Sequence, residues 1–201
     1  MNRLMTESLL RWTLNGQPQK TLLCSPGQER FLLTGLLLTE GLGPARSLRL
    51  EAGVWQAETE DPAAAFADLP ERLARVAPVR GPSALSGAEL LACQRSLLAA
   101  GGKGGLHGAL VTDGARQAVG RDVGRHNAID KAVGQAAALG IDFSRAALCT
   151  SGRLSLEMLA KAAAVGIPAL CTAKQVGSLC AEHARRLGIT ILQIEKAGEK
   201  P

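Results

Sequence analysis

The chain has 201 residues, of which 46% are apolar and 20% charged, with a formal net charge of +5 at pH 7. This length and apolar content suffice for a substantial buried core, in one domain or in a large and a small lobe. Three Phe, two Trp and no Tyr are too few rings for the base stacking of single-strand nucleic-acid binders, so we expect no nucleic-acid partner.

The sequence also argues against a membrane or secreted protein. No stretch reaches the roughly 18 consecutive apolar residues that a membrane-spanning helix needs, and the N-terminus lacks the apolar core and cleavage site of a signal peptide. The cysteines number five, and none are paired at the spacing of zinc sites or dithiol motifs. We therefore expect a cytoplasmic protein without disulfides, whose thiols are core residues: Cys24, Cys93, Cys149, Cys171 and Cys180.

Residues 1–60 are predicted to form a small α+β subdomain. Strands at residues 9–14 and 21–24 flank a turn at Asn15 and Gly16. A helix follows, with Ser25 and Gln28 at the spacing of a capping box, and the apolar run 31–38 as its buried face. A short hairpin at residues 48–50 and 54–57 completes this part.

Residues 61–84 are rich in Pro and Ala without clear periodicity, which predicts a linker with one short helix at most. Residues 85–201 then alternate between helices and strands. The predicted elements are a helix capped by Ser86 and Glu89 and ending near Ala100, paired strands around Asp113 and Gly114, a helix at 126–139, a strand at 146–150, a helix at 155–165, a strand at 167–171, a helix at 176–187 and a strand at 189–194. Such alternation requires crossover connections, so we predict an α/β domain with a mixed, mostly parallel sheet covered by helices on both faces.

The most polar part of a predicted helix is RDVGRHNAIDK, residues 121–131. Residues four apart share a helix face, which places His126 over Asp130 and Asn127 over Lys131. A carboxylate beside the imidazole would fix its tautomer and raise its proton affinity, which suits proton transfer or anion binding. The structural alternative is a capped helix decorated with ion pairs. We favour a binding site, whose further residues are Asp122, Gly124 and Arg125.

The turn TSGRLSLE, residues 150–157, follows a predicted strand and opens a helix. In open α/β sheets, helix N-termini beyond the carboxyl ends of the strands attract anionic ligands. An arginine there can fork onto a phosphate, serine hydroxyls can donate hydrogen bonds, and a glycine lets the ligand approach the backbone. A plain helix cap with the arginine paired to Glu157 fits the turn equally well. The candidate ligand residues are Ser151, Gly152, Arg153 and Ser155.

The glycine-rich segment GGKGGLHG, residues 101–108, is similar to a backbone cradle for phosphate, but its spacing matches no established phosphate loop. If this segment is taken alone, a solvent-exposed loop is the simpler interpretation. For its histidine, a structural role is the simpler interpretation. Together with the two segments above, this loop contributes to one predicted polar pocket for an anionic ligand, through Lys103, Gly104, Gly105 and His107.

In order along the chain, LLLTEGL, GGLHGAL, DVGRHNAIDKAVG and TSGRLSLEMLAKAAAVGIP resemble the FdhD family of formate dehydrogenase accessory sulfurtransferases. The resemblance implies a cytidine-deaminase-like three-layer fold with a smaller N-terminal subdomain, in a cytoplasmic homodimer. It also implies that sulfur comes from a cysteine desulfurase and passes to the molybdopterin guanine dinucleotide cofactor before that cofactor enters formate dehydrogenase or another molybdoenzyme. The predicted pocket would suit the pyrophosphates and guanines of this cofactor.

The chain departs from the family where the sulfur chemistry resides. The family carries Cys-Gly-x-Cys between its subdomains, whereas the equivalent segment, residues 80–83, is Arg-Gly-Pro-Ser. Neither arginine nor serine can hold a persulfide, and Cys93 is the nearest candidate thiol. The C-terminal end is also short, with Ile194 and Lys196 where the family has an aromatic and arginine-bearing segment associated with cofactor contact.

A deaminase-like fold raises the alternative of zinc hydrolysis. Zinc deaminases use His-x-Glu followed by Pro-Cys-x-x-Cys, whereas this chain has His107-Gly108-Ala109 and no paired thiols. We therefore expect no zinc site.

Three hypotheses remain. The leading one is a family member that binds molybdopterin guanine dinucleotide or a related nucleotide, and either assists its sulfuration or carries it without transferring sulfur. The second is a sulfurtransferase that uses Cys93 or another single thiol. The third is a regulatory paralogue that only associates with a partner protein.

Overall fold

A computed structural model describes residues 5–101 and 105–194 of the chain. Two sheets and one helix form the N-terminal part. Its elements are β1 (Ser8–Leu10), β2 (Trp12–Leu14), β3 (Gln17–Pro18), β4 (Leu22–Cys24), α1 (Glu29–Thr39), β5 (Ala45–Glu51) and β6 (Val54–Thr59). β1 pairs with β4, and the other strands form a sheet of order β3-β2-β6-β5. One apolar face of α1, with Leu32, Leu33 and Leu37, forms a core with Trp12 and Leu14.

Two details of this part differ from the prediction. The strand predicted at residues 9–14 divides into β1 and β2, which belong to different sheets. The capping box of Ser25 and Gln28 is wrong, because α1 begins after a left-handed Gln28 without a side-chain capping bond. Both residues bind the larger part of the chain instead: the Ser25 hydroxyl accepts from the Val123 N–H (3.1 Å), and the Gln28 amide donates to the Val119 carbonyl (3.2 Å).

The predicted linker contains the single short helix that we expected, α2 (Leu69–Arg75). The Asp68 carboxylate caps it by accepting from the Glu71 N–H at 2.9 Å. None of its residues is fully buried, so α2 rests on the surface of the domain, with the Arg72 side chain directed to Glu40. The domain boundaries proposed from sequence stay a prediction.

The larger part contains a five-stranded sheet. Its elements are α3 (Gly87–Gly101), β7 (His107–Thr112), β8 (Gln117–Asp122), α4 (Arg125–Ala138), a 3-10 turn (Phe143–Arg145), β9 (Ala147–Thr150), α5 (Leu156–Ala164), β10 (Ala169–Thr172), α6 (Ser178–Leu187) and β11 (Thr190–Gln193). The sheet order is β11-β10-β9-β7-β8. β9, β10 and β11 are parallel, while β7 is antiparallel to both β9 and β8. The mixed α/β sheet predicted from the alternating pattern is confirmed, but it is not mostly parallel, because two of its four strand pairings are parallel and two are antiparallel.

Helices cover both faces of this sheet. Leu148 and Leu170 of neighbouring strands face a core shared with α4, α5 and α6. The alternate residues Cys149 and Cys171 face α3 on the other side, around Leu97. The reciprocal bonds between Ser86 and Glu89 cap α3 as predicted. Within the described residues, none of the helices is long and apolar enough to cross a membrane.

Helix α1 joins the two parts by crossing α4 at very close range. A Cβ atom on Gly35 would lie 1.8 Å from the Asp130 carbonyl oxygen, and one on Gly134 would lie 2.0 Å from the Phe31 carbonyl oxygen. Only glycine permits backbones to approach so closely. The crossing places the C-terminal end of α1 beside the middle of α4 and thereby positions the charged groups described next.

Candidate functional site

The candidate site lies where β9 and β10 end and the chain turns into α5 and α6. Threonines at the two strand ends hold the turns in place. The Thr150 hydroxyl accepts from the Gly152 N–H (3.1 Å), and the Thr172 hydroxyl donates to the Gly152 carbonyl (2.7 Å). The Leu154 N–H donates to the Gln175 carbonyl at 3.1 Å, which joins the two loops. These hydrogen bonds turn the ends of β9 and β10 and the loops that follow them, which form the rim of the sheet, into a rigid backbone frame.

This frame borders an open cavity of about 220 Å³, whose charged lining residues are the two arginines Arg125 and Arg153. Arg125 enters it from the first turn of α4, and Arg153 from the loop before α5. A Cβ atom on Gly152 would lie 3.4 Å from the Arg125 Cβ, so the loop and α4 are in direct contact. The N-terminal ends of α5 and α6 border the same cavity at Ser155 and Gly177. Helix N-termini and arginines both favour an anion.

Polar atoms at this site are buried but unused by the fold. Arg125 Nε, His126 Nε2 and Ser155 Oγ are inaccessible to solvent and have no hydrogen-bond partner among the described residues. Ser155 is the N-cap of α5, as the plain-cap interpretation requires, yet its side chain makes no capping bond. Buried donors are almost always paired in native proteins. Arg125 and Ser155 both line the cavity, so their two orphaned groups indicate that a ligand completes their hydrogen bonding.

His126 follows Arg125 in α4, and its side chain does not pair with its predicted partner. Its Nε2 is 3.0 Å from Glu157 Oε2, without the alignment of a hydrogen bond. The predicted pairing with Asp130 is wrong, as is the raised proton affinity. Burial lowers the pKa of the His126 imidazole, and the nearby Glu157 carboxylate only partly opposes this. Glu157 is thus paired with His126 and not, as the plain-cap alternative supposed, with Arg153.

Asp130 has other partners, because α1 and α5 reach it first. Lys161 Nζ lies 2.9 Å from Asp130 Oδ1 and 2.7 Å from Glu40 Oε1. The Thr39 hydroxyl donates to Asp130 Oδ1 at 2.6 Å. Arg72 of α2 pairs with the second oxygen of Glu40 at 2.8 Å. The cluster is almost fully buried and joins four helices. Our sequence reasoning missed Lys161, although a lysine in the apolar run of α5 was the signal available.

Asp122, Asn127 and Lys131 form a second buried network. Lys131 Nζ lies 2.8 Å from Asp122 Oδ2 and donates to the Ser25 carbonyl at 2.8 Å. The Asn127 amide donates to Asp122 Oδ1 (3.0 Å) and to the Leu23 carbonyl (2.8 Å). These contacts fasten β4 and the residue after it to α4. Because their polar atoms already have protein partners, these three residues support the site from behind, and direct ligand contact by them stays a prediction.

The remaining predicted residues lie around the rim. The Ser151 hydroxyl accepts from the Gly108 N–H at 2.9 Å and so joins β7 to the candidate site. His107 is half-buried at the start of β7, Gly105 is exposed, and Gly124 is the N-cap of α4. The Ile194 N–H donates to the Thr172 carbonyl at 2.8 Å, which continues the β10–β11 pairing to the rim. Lys103, Gly104 and Lys196 lie outside the described residues.

Cys93 lies apart from the cavity, on α3, where it is half-buried. Across the described residues, no group of three or more His, Cys, Asp or Glu side chains is placed to hold a metal ion. The expectation of no zinc stays a prediction.

Comparisons with known proteins agree on one family. The model of the FdhD/NarQ family matches residues 64–199. A sulfur carrier protein FdhD from Thermoplasma volcanium is 42% identical over 91 residues, which are 44% of this chain and 33% of that protein. The one from Anaeromyxobacter dehalogenans is 40% identical over 119 residues, or 55% and 41% of the two chains. The match thus spans less than half the length of these curated relatives.

The fold has a close counterpart among solved structures. A crystal structure described as a formate dehydrogenase accessory protein from Desulfotalea psychrophila superposes with a TM-score of 0.80 and 24% sequence identity. The superposition covers 98% of this chain and 86% of the other. The similarity shows that nearly the whole chain, including the N-terminal part, adopts a fold found in that protein.

Proposed function

This chain belongs to the FdhD/NarQ family, and from that premise we propose that it is an accessory protein of formate dehydrogenase that binds molybdopterin guanine dinucleotide. In this role it assists the sulfuration or the delivery of that cofactor. The names of its relatives, sulfur carrier protein and formate dehydrogenase accessory protein, support the role. A cytidine-deaminase-like arrangement of the layers is part of the same proposal.

The observation that carries the proposal is the set of unpaired buried donors beside two arginines. Arg125 Nε and Ser155 Oγ have no hydrogen-bond partner in the described parts of the chain, and Arg153 lines the same cavity. A diphosphate brings several acceptor oxygens and negative charge to one place. It would therefore supply the acceptors and the counter-charge that these donors lack. A cavity of about 220 Å³ suits a diphosphate and leaves the rest of a dinucleotide outside.

The residues that would hold the cofactor's diphosphate are therefore Arg125, Arg153 and Ser155, with the N-termini of α5 and α6 behind them. The cofactor, when bound, supplies the metal-binding dithiolene chemistry. The protein orients it by its phosphates and excludes water from their donors. Burial lowers the pKa of the His126 imidazole and so favours its neutral form. A neutral imidazole can accept or donate one hydrogen bond without adding charge.

The second candidate function is a carrier or regulatory paralogue without sulfur transfer. One observation favours it: the segment Arg-Gly-Pro-Ser at residues 80–83 contains no thiol. This segment is a coil between α2 and α3, where the Ala84 N–H donates to the Arg145 carbonyl at 2.8 Å. Both functions share the cofactor site. They differ in whether the chain itself accepts sulfur.

Calorimetric titration with GDP tests the site. We expect wild type to bind GDP and Arg153→Ala to bind it about tenfold or more weakly, because a hydrogen bond to a charged group contributes about 1.5–3 kcal/mol. Arg95→Ala is the matched control. It removes the same charge from the exposed side of α3, on the opposite face of the sheet, and should leave the affinity unchanged.

Competition by inorganic pyrophosphate shows whether the diphosphate is the recognised group. We expect pyrophosphate to displace GDP from wild type. Folded wild type that does not bind GDP, or equal weakening by both arginine variants, would refute the cofactor site. The same proposal includes a homodimer in the cytoplasm. Its partners are a cysteine desulfurase and formate dehydrogenase or another molybdoenzyme.

A further inference from the structure

Three of the five cysteines meet on the face of the sheet that α3 covers. Cys149 and Cys171 are directly paired in the register of β9 and β10, and both are fully buried. Cys93 of α3 packs against them, together with Leu97. Cys93, Cys149 and Cys171 thus form a thiol cluster.

Helix geometry brings two of these sulfur atoms to one place. Cys171 Sγ lies 3.9 Å from the carbonyl oxygen of Leu90 in α3. Side chains on a helix lean toward its N-terminus, over the preceding turn. The Cys93 side chain therefore covers the turn that contains Leu90, where the Cys171 sulfur is found.

Access distinguishes Cys93 from the other thiols. All five cysteines are within the described residues, and Cys24, Cys149, Cys171 and Cys180 are fully buried. Cys93 is half-buried. A donor can therefore reach Cys93 without unfolding the domain, and the others only through it or through a large opening.

The thiol cluster lies beneath the rim that carries the candidate site. Gln94, next to Cys93 in sequence, donates from its amide to the carbonyl of Thr150 at 2.9 Å, one residue before Ser151. Its Oε1 is buried without a hydrogen-bond partner among the described residues, so an acceptor is left over beside α3. The thiols and the cationic cavity thus occupy opposite faces of the same end of the sheet.

We propose that Cys93 accepts sulfane sulfur in this chain and that Cys171 releases it as sulfide. The proposal rests on the proposed function, because it identifies the atom that carries sulfur in a family member without a thiol at residues 80–83.

The chemistry balances in two steps. The Cys93 thiolate attacks the terminal sulfur of a donor persulfide, the donor thiolate leaves, and Cys93 carries one additional sulfur atom. The Cys171 thiol then loses its proton, attacks Cys93 Sγ and displaces the outer sulfur as hydrosulfide, leaving a Cys93–Cys171 disulfide. The two cysteine sulfurs are oxidised and the transferred sulfur is reduced. A low-molecular-weight thiol restores both cysteines.

The surroundings influence both steps. Burial raises the pKa of the Cys93 thiol, so the first step is slow at neutral pH and faster in alkaline solution. The neighbouring Cys149 thiol lowers the pKa of Cys171, which favours the thiolate that the second step needs.

Sodium tetrasulfide serves as the test donor, applied to folded full-length protein at alkaline pH. Peptide mass spectrometry should first show one additional sulfur atom on Cys93. It should then show a peptide pair cross-linked through Cys93 and Cys171, together with hydrosulfide in solution. The cross-link in wild type requires no substitution, so the test holds even where a variant fails to fold.

Variants separate the two roles. Cys93→Ser should take up no sulfur. Cys171→Ala should keep the additional sulfur on Cys93, form no cross-link and release several-fold less sulfide. Cys180→Ser is the matched control, because this buried cysteine belongs to the core on the opposite face of the sheet, and it should behave as wild type.

Sulfur on another cysteine of folded wild type would overturn the role of Cys93. Wild-type sulfide release by Cys171→Ala would overturn the role of Cys171. GDP titration of Cys93→Ser keeps the two proposals apart. If wild type binds GDP but takes up no sulfur, only this inference is refuted. If wild type takes up sulfur but does not bind GDP, only the cofactor site is refuted.

Discussion

Ser155 illustrates how a single residue can be left over by folding. It occupies the N-cap of α5, where a serine side chain ordinarily bonds the backbone of the first turn and contributes about 1 kcal/mol. Here that bond is missing, and the buried hydroxyl has no partner in the described portion of the chain. Ser151, four residues earlier, accepts a hydrogen bond from the Gly108 N–H. Two serines of one loop therefore have different roles, one in the fold and one toward the cavity.

We expect Ser155→Ala to separate binding from stability. Its free energy of unfolding, from urea denaturation without ligand, should remain within about 0.5 kcal/mol of wild type, because no protein hydrogen bond is lost. Its affinity for GDP should fall about three- to tenfold, the effect of one hydrogen bond. Ser151→Ala is the control and should cost about 1–3 kcal/mol of stability, since it leaves the Gly108 N–H unpaired. Equal destabilisation by both variants would contradict our assignment.

At the scale of elements, the crossing of α1 and α4 positions the candidate site. α4 carries Arg125 and His126 at one end and Asp130 at its centre, and α1 packs against it through Gly35 and Gly134. The same α1 extends to Thr39, whose hydroxyl binds Asp130. Moving the helices apart would therefore break the buried charge cluster as well as the packing.

Gly134→Ala should destabilise the protein by about 3 kcal/mol or more, because the new methyl group cannot fit against the Phe31 carbonyl without separating the helices. Gly87→Ala is the matched control. Gly87 is the first residue of α3, and nothing lies within 4 Å of an added Cβ there, so we expect no loss of stability and a gain of up to about 1 kcal/mol. Urea denaturation measures both. A Gly134→Ala variant as stable as wild type would show that the helices are farther apart in solution.

For the molecule as a whole, buried charges hold the N-terminal part on the α/β domain. Lys161 of α5 lies between Glu40, which follows α1, and Asp130 of α4. Burial raises the pKa of Asp130, and the Lys161 charge opposes that rise. An acid whose pKa is raised by folding stabilises the fold at low pH, and this contribution is lost as the pH rises through the folded-state pKa. If Lys161 is removed, the fold should therefore be more stable with Asp130 protonated than with Asp130 ionised.

Lys161→Met should lower the free energy of unfolding by about 3–5 kcal/mol at neutral pH, because it leaves buried carboxylates without their cation. The deficit relative to wild type should shrink in mildly acidic solution, where Asp130 can take up a proton. Arg49→Met is the control: it removes a pair with Glu58 in which both side chains are about half exposed (60% and 47%), and should change stability by less than about 1 kcal/mol. A deficit that grows with acidity would contradict the assigned role of Asp130.

Several features were predictable from neighbours in sequence alone. The capping box of Ser86 and Glu89 and the hairpin at Asp113 and Gly114 form as expected, because their hydrogen bonds join residues a few positions apart. The capping box predicted at Ser25 and Gln28 does not form, for the opposite reason. Contacts with Val119 and Val123, more than ninety positions away, replace the local capping bonds.

The sequence by itself determined the order of helices and strands, and it located the polar turns at the ends of the strands, since periodicity and turn chemistry are local. Only the tertiary structure decided which polar groups pair and which remain available. Asp130 binds Lys161, 31 positions away, and Thr39, 91 positions away, although His126 is one turn from it in α4. Charged groups buried by folding must be neutralised by whatever the packing brings near them, and packing partners cannot be identified from spacing along one chain.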